Sequence, residues 1–215
     1  MSYIIKLSLL AFLCVQTFSA LAKPVSYAGG FSPMTMNNGE VNSMSAAYSP
    51  TARYAVGYTA EYWREKEYSI QAFQLNNLLK RWNNFDSQGN LYLLSGAGIS
   101  YSDQGDFSHE FQPAVFTGVL ADWENRRFFT SYENRMTYAG DIDQNFMQSA
   151  RLGVAPYVGE FGDLHTWLML EVGHYPEAQD KVTLTPLIRL FKGTNMVEAG
   201  VSNQGDILFN VMIQF

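Results

Sequence analysis

From Val41 to Phe215 apolar side chains return at every second position. The clearest segment is Arg53 to Trp63, where Tyr54, Val56, Tyr58, Ala60 and Tyr62 share one face. Arg53, Ala55, Gly57, Thr59, Glu61 and Trp63 share the other. Successive side chains of a strand point to opposite sides of its sheet, so this period predicts strands with one apolar face. The same alternation runs through Leu91–Tyr101, Phe128–Tyr138, Leu164–Val172 and Val182–Leu190. Turn signals separate the runs, among them Ser49-Pro50, Ser87-Gln88-Gly89, Glu124-Asn125 and Asn203-Gln204-Gly205. Leu75, Leu78, Leu79 and Trp82 also fit a helix face, but the surrounding pattern predicts a strand with Phe73, Leu75 and Leu79 outward. The fold class is all-β.

The polar faces decide which side is the interior. A soluble sandwich or lipocalin-like binder turns its apolar face inward, whereas a transmembrane barrel turns it to lipid and keeps a polar lumen. Here the polar faces carry Gly, Ala, Ser and Thr interrupted by single charges, not the lysine-rich surface of a solvated sheet. In this register Arg53, Lys80, Arg127, Arg135, Arg151 and Arg189 point inward. Glu61, Asp122, Glu124, Glu133, Glu171 and Glu198 face them. The two sets balance, as a confined interior requires, because an unpaired buried charge is costly. Tyr48, Tyr62, Tyr101, Trp123 and Tyr138 end the apolar faces like an interfacial girdle.

The two ends of the chain add a compartment. Lys6, an apolar run from Leu7 to Phe18, and Ala20-Leu21-Ala22 predict a signal peptide over 1–22 and a single barrel domain over 23–215. The single cysteine, Cys14, lies in that leader, and Leu13 before it does not fit lipoprotein processing. At the other end Ile207, Phe209, Val211, Ile213 and Phe215 alternate to the last residue. A chain ending in an amphipathic strand with terminal Phe resembles the outer-membrane β-barrels of Gram-negative bacteria. The resemblance covers the architecture of 23–215 and that one motif, and no narrower family. It implies an outer-membrane location, contact with membrane lipid and lipopolysaccharide, and recognition of Phe215 and its strand by the barrel-assembly machinery.

Eleven runs are legible, near 41–48, 53–63, 69–80, 90–101, 112–123, 127–138, 146–157, 164–175, 181–191, 195–202 and 206–215. Bacterial single-chain barrels have even strand numbers. A twelfth strand is therefore expected near 27–36, joined to Val41 through Asn37-Asn38-Gly39. The prediction is a closed antiparallel up-and-down barrel of twelve strands, or ten if 27–36 is a luminal segment. Outer loops then fall near 64–67, 102–111, 139–145 and 176–180.

Composition narrows the functions without choosing one. Fourteen Lys and Arg against twenty Asp and Glu give a charge of −6, with no basic block for nucleic acid. An enzyme of membrane lipids needs a nucleophile, base and orienting group together. The only histidines are His109, His165 and His174. Ser108-His109-Glu110 are adjacent, so they do not form a relay; His174 sits at a strand rim. Met34 and Met36, near Met44, are weak candidates for a soft metal such as copper, and Met is also a common gap filler. Acidic loop positions Asp103, Asp106, Glu110, Asp141 and Asp143 read as solvated charge. No catalytic motif and no cofactor are expected. What remains is the lumen, either a narrow pore for a small polar solute or a structural barrel closed by Tyr92, Phe116, Tyr157 and Trp167. A lipid-modifying enzyme, copper handling and a soluble lipocalin-like binder are the alternatives.

Overall fold

The structure is a computed structural model, described over residues 23–102, 109–160, 162–178 and 181–215; residues 1–22, where a leader is expected, and Asp103, Asp106 and Ser108 lie outside the described residues. Among the described residues there are twelve strands. They are β1 (Phe31–Asn37), β2 (Val41–Thr51), β3 (Tyr54–Trp63), β4 (Tyr68–Asn83), β5 (Ser87–Ser102) and β6 (Glu110–Asn125). β7 (Phe128–Ala139), β8 (Asp143–Val154), β9 (His165–His174), β10 (Val182–Lys192), β11 (Asn195–Val201) and β12 (Ile207–Met212) follow. Every strand pairs antiparallel with its sequence neighbours, and β1 closes the barrel onto β12 with Met34 opposite Met212. Closure leaves no free edge, so backbone groups are satisfied strand to strand, as a structure crossing lipid needs.

The exposure pattern is that of a barrel turned inside out. On β4, Phe73 is 78% exposed, while its neighbour Ala72 is 1% and Ile70 is fully buried. Leu152, Leu168, Leu170, Ile188 and Phe209 are likewise exposed on the outer wall. The core is the lumen itself. Trp63, Tyr68, Ile70, Ala72, Ala114 and Phe116 form one packed cluster inside it, and Trp167, Met169, Leu187 and Leu208 belong to a second. Gly98 has a packing reason: a Cβ there would stand 2.0 Å from the Gln71 carbonyl oxygen and 2.5 Å from Ala72 Cα. Only glycine lets β4 and β5 approach so closely at that point.

Two features depart from the expected strand map. The first strand begins at Phe31, and of the residues before it 23–26 run into the lumen at the end of the barrel that holds the C-terminus, the terminal end, while 27–29 are exposed. The second is a register shift between Leu78 and Lys80 where β4 pairs with β5. The extra residue reverses the alternation for the rest of the strand. Turns at 38–40, 64–67, 140–142 and 202–206 lie at the opposite, far end, together with the paired ends of β5 and β6 and of β9 and β10.

Candidate functional site

Side chains from ten strands, β3 to β12, converge in the lumen through period-two alternation. Arg135 of β7 reaches across to Glu61 of β3, with Nη1 donating to Oε1 at 2.9 Å and Nη2 to Oε2 at 3.0 Å. Its guanidinium lies 3.8 Å from the Phe116 ring centroid, so one face is covered by an aromatic ring while the edge is spent on the carboxylate. Trp63 Nε1 donates to Glu61 Oε2 at 3.2 Å, holding the acceptor in place.

A second network joins β8 to β12. Arg151 pairs with Glu171 and lies 3.3 Å from Glu198, and Arg189 Nε donates to Glu198 at 2.6 Å. Asn210 Nδ2 donates to the same Glu198 carboxylate at 2.7 Å. Glu198 is 1% exposed and is held by two arginines and an amide, the pairing a buried carboxylate needs. Arg189 also packs over the Phe129 ring at 4.7 Å. Glu133 faces the same space, with Arg151 and Arg135 the cations acting on it.

Near the terminal end a third group surrounds Asn90. Its amide donates to Asp122 at 2.7 Å and its carbonyl accepts from Arg81 Nε at 2.7 Å. Glu124 pairs with Lys23 at 3.2 Å. At the far mouth, Trp63 and Tyr68 stack with parallel rings 6.0 Å apart. Tyr68 donates to Asp143 at 2.8 Å, and Lys66 pairs with that carboxylate. Asp143, expected as solvated loop charge, is thus a buried acceptor. A cavity of about 40 Å³ opens there between Glu40, Glu65, Lys66, Asp143 and Tyr175.

Of the residues expected in the lumen, Glu61, Asp122, Glu124, Glu133, Arg135, Arg151, Glu171, Arg189 and Glu198 stand on its inner face. Three do not. Arg53 and Arg127 sit exposed in the β2–β3 and β6–β7 turns, where no strand alternation orients them. Lys80 pairs with Leu91 on the outer wall, because the bulge at Leu79 sends Arg81 inward in its place. Arg81, Asn90, Asn210 and Lys23 belong to the networks and were missed by the reading from sequence. The doubled apolar pair Leu78-Leu79 breaks period two and was the available signal for the bulge. Tyr92, Phe116 and Trp167 fill the lumen as expected, but Tyr157 is exposed in the β8–β9 connection.

The other candidate chemistries are scattered. His109 Nδ1 meets the Tyr101 hydroxyl at 3.0 Å at the far mouth. His174 Nδ1 lies 2.9 Å from Gln148 Nε2 on the outer wall, and His165 contacts the Glu160 carbonyl in the β8–β9 connection. Met36 faces the lumen, and Met34 packs there against Phe191, Met196 and Met212, while Met44 is exposed outside.

A closed barrel with an apolar outer wall and a charge-paired interior defines an integral transmembrane β-barrel of porin-like architecture. A solved structure described as the KdgM porin in complex with disordered oligogalacturonate has this fold. It aligns with a TM-score of 0.50 and 7% identity over 86% of this chain and 98% of that one. A second KdgM porin structure aligns over the same shares with a TM-score of 0.46 and 9% identity. No protein-family model matches the chain, and no curated protein matches it.

Proposed function

We propose that the chain is a non-enzymatic outer-membrane β-barrel whose lumen is a narrow pore for small polar solutes. The observation that carries this reading is the Arg135–Glu61 bridge across the lumen beside the Arg151–Glu171–Glu198–Arg189 network. Opposed cations and anions make a transverse field, which favours small solutes with separated polar groups over apolar ones. The KdgM porin is described with an oligogalacturonate, a chain of carboxylates. The lumen here pairs its arginines internally, so it offers no uninterrupted basic track for such a polyanion, and a small polar solute fits better. The outward Phe215, joined to Phe31 by backbone bonds of 2.9 and 3.0 Å, is the proposed signal for the barrel-assembly machinery. Membrane lipid and lipopolysaccharide would surround the outer wall. The inverted exposure argues against a soluble lipocalin-like binder, and the separate settings of the three histidines argue against a lipid hydrolase.

Burial of Tyr92, Ile70 and Ser100, all fully inside the lumen, favours a second reading in which the barrel is structural and sealed. Single-channel recording of the folded protein in planar bilayers separates the two. A pore gives discrete steps that grow when Arg135→Ala and Glu61→Ala are combined. Silence of both proteins overturns the pore and leaves the sealed barrel. Membrane fractionation with heat-modifiable migration on a detergent gel tests the location and the barrel together.

A further inference from the structure

Residues 23–26 are not part of the sheet ladder, yet they are among the better buried residues of the chain. Val25 is 2% exposed and packs in the cluster formed by the inward Ala47, Ala55 and Tyr92. The Pro24 carbonyl accepts from Asn76 Nδ2 at 3.2 Å, and Ser26 N–H donates to Ser49 Oγ at 3.0 Å. Lys23 lies at the terminal end of the lumen: its ammonium donates to Gln88 and pairs with Glu124 Oε1 at 3.2 Å. These partners lie on β2, β3, β4, β5 and β6, so the segment is held by one arc of the wall.

The chamber that receives Lys23 has the chemistry of a cation site. Glu124 is 5% exposed, and its second oxygen has no hydrogen-bond partner among the described residues. Asp122 stands two positions away on the same inner face, with Asn90 and Gln88 supplying amides and Arg81, bonded to the Asn90 carbonyl at 2.7 Å, serving Asp122. A barrel wall that merely needed filling would use apolar side chains there, since a buried carboxylate requires a cation. In the present structure that cation belongs to the chain itself.

We infer that Lys23–Ser26 is a plug the barrel supplies to itself. Its ammonium occupies a luminal cation site built on Glu124 and Gln88, and withdrawal of the segment opens the terminal mouth to solutes bearing an ammonium group. This rests on the pore reading above and adds to it a gate and a solute class.

The test reads the plug separately from conduction. With Cys14 replaced by alanine, Val25→Cys and, as an exposed control, Tyr27→Cys are labelled with a polar maleimide in the folded, detergent-held barrel. A seated plug leaves Val25→Cys protected while Tyr27→Cys reacts. Lys23→Glu, which sets a carboxylate against Glu124, raises Val25→Cys labelling about tenfold or more, as loss of one charge-assisted contact demands. Adding Glu124→Lys restores protection. Equal labelling of both cysteines, or no response to Lys23→Glu, overturns the plug whatever the barrel conducts. Bilayer recording then reads the gate, in the native barrel and in the Arg135→Ala/Glu61→Ala barrel so that the bridge across the middle does not mask it. Deletion of 23–26 raises the open fraction and moves the reversal potential in a KCl gradient toward K⁺. Unchanged steps and potential in conducting barrels overturn the gate, whereas silence in every variant overturns the pore itself.

Discussion

Arg135 and Glu61 lie 74 positions apart in the chain and meet through two parallel hydrogen bonds of 2.9 and 3.0 Å. They come from strands that are not neighbours, so the pair is a strut across the lumen and not a contact within the wall. Removing one partner strands the other. Arg135→Ala should cost about 3–5 kcal/mol, and the Arg135→Ala/Glu61→Ala double variant clearly less than the sum of the two singles. Urea unfolding followed by tryptophan fluorescence checks it; additive losses would show that the strut carries no coupling.

Glu198 gathers Arg189, Arg151 and Asn210 on one carboxylate. Glu171 has only Arg151 as its salt-bridge partner among the described residues. Glu198→Gln should therefore reduce the folded, heat-modifiable band more than Glu171→Gln does, because it leaves two arginines short of an acceptor. Equal losses would mean that the two carboxylates share the load.

The bulge at Leu79 makes adjacent residues unequal. Arg81 is inward and bonded to Asn90 at 2.7 Å, whereas Lys80 lies on the outer wall opposite Leu91. Arg81→Ala should destabilise by about 1.5–3 kcal/mol, the usual worth of a hydrogen bond to a charged group. Lys80→Ala should stay within about 0.5 kcal/mol, as exposed substitutions do. Unfolding midpoints of the two variants decide it, and the reverse order would restore an uninterrupted register.

The outer wall predicts a lipid contact. Leu170 is outward, 43% exposed, and in the middle of β9. Leu170→Arg should cost about 2–4 kcal/mol if that position lies at the membrane midplane. A companion change at the rim, Val182→Arg, should cost far less, about 0–1 kcal/mol. Comparable behaviour of both variants in lipid vesicles would argue against a wall set in a bilayer.

Much of this barrel was legible in the linear pattern. Period two assigns each side chain of a regular strand to a face without any knowledge of its neighbours, which is why Glu61, Arg135, Arg151, Glu171 and Arg189 were placed inward. The same rule failed at Arg53 and Arg127, which lie past strand ends, and at Lys80, which follows an inserted residue. Each error is one of phase: alternation tells inside from outside only while the backbone stays extended and in register.

The sequence by itself determined the strands from Val41 onward and which face is apolar, and narrowed their number to twelve or ten, because those depend on local spacing and on the even count of a closed barrel. Only the tertiary structure decided which charges meet. Closing β1 onto β12 brings strands far apart in the chain within side-chain reach across one lumen. It also folds Lys23 back against Glu124, a contact no spacing encodes. The balance of charge was readable as a sum; its pairing is geometry, set by curvature, shear and a bulge that act on the sheet as a whole.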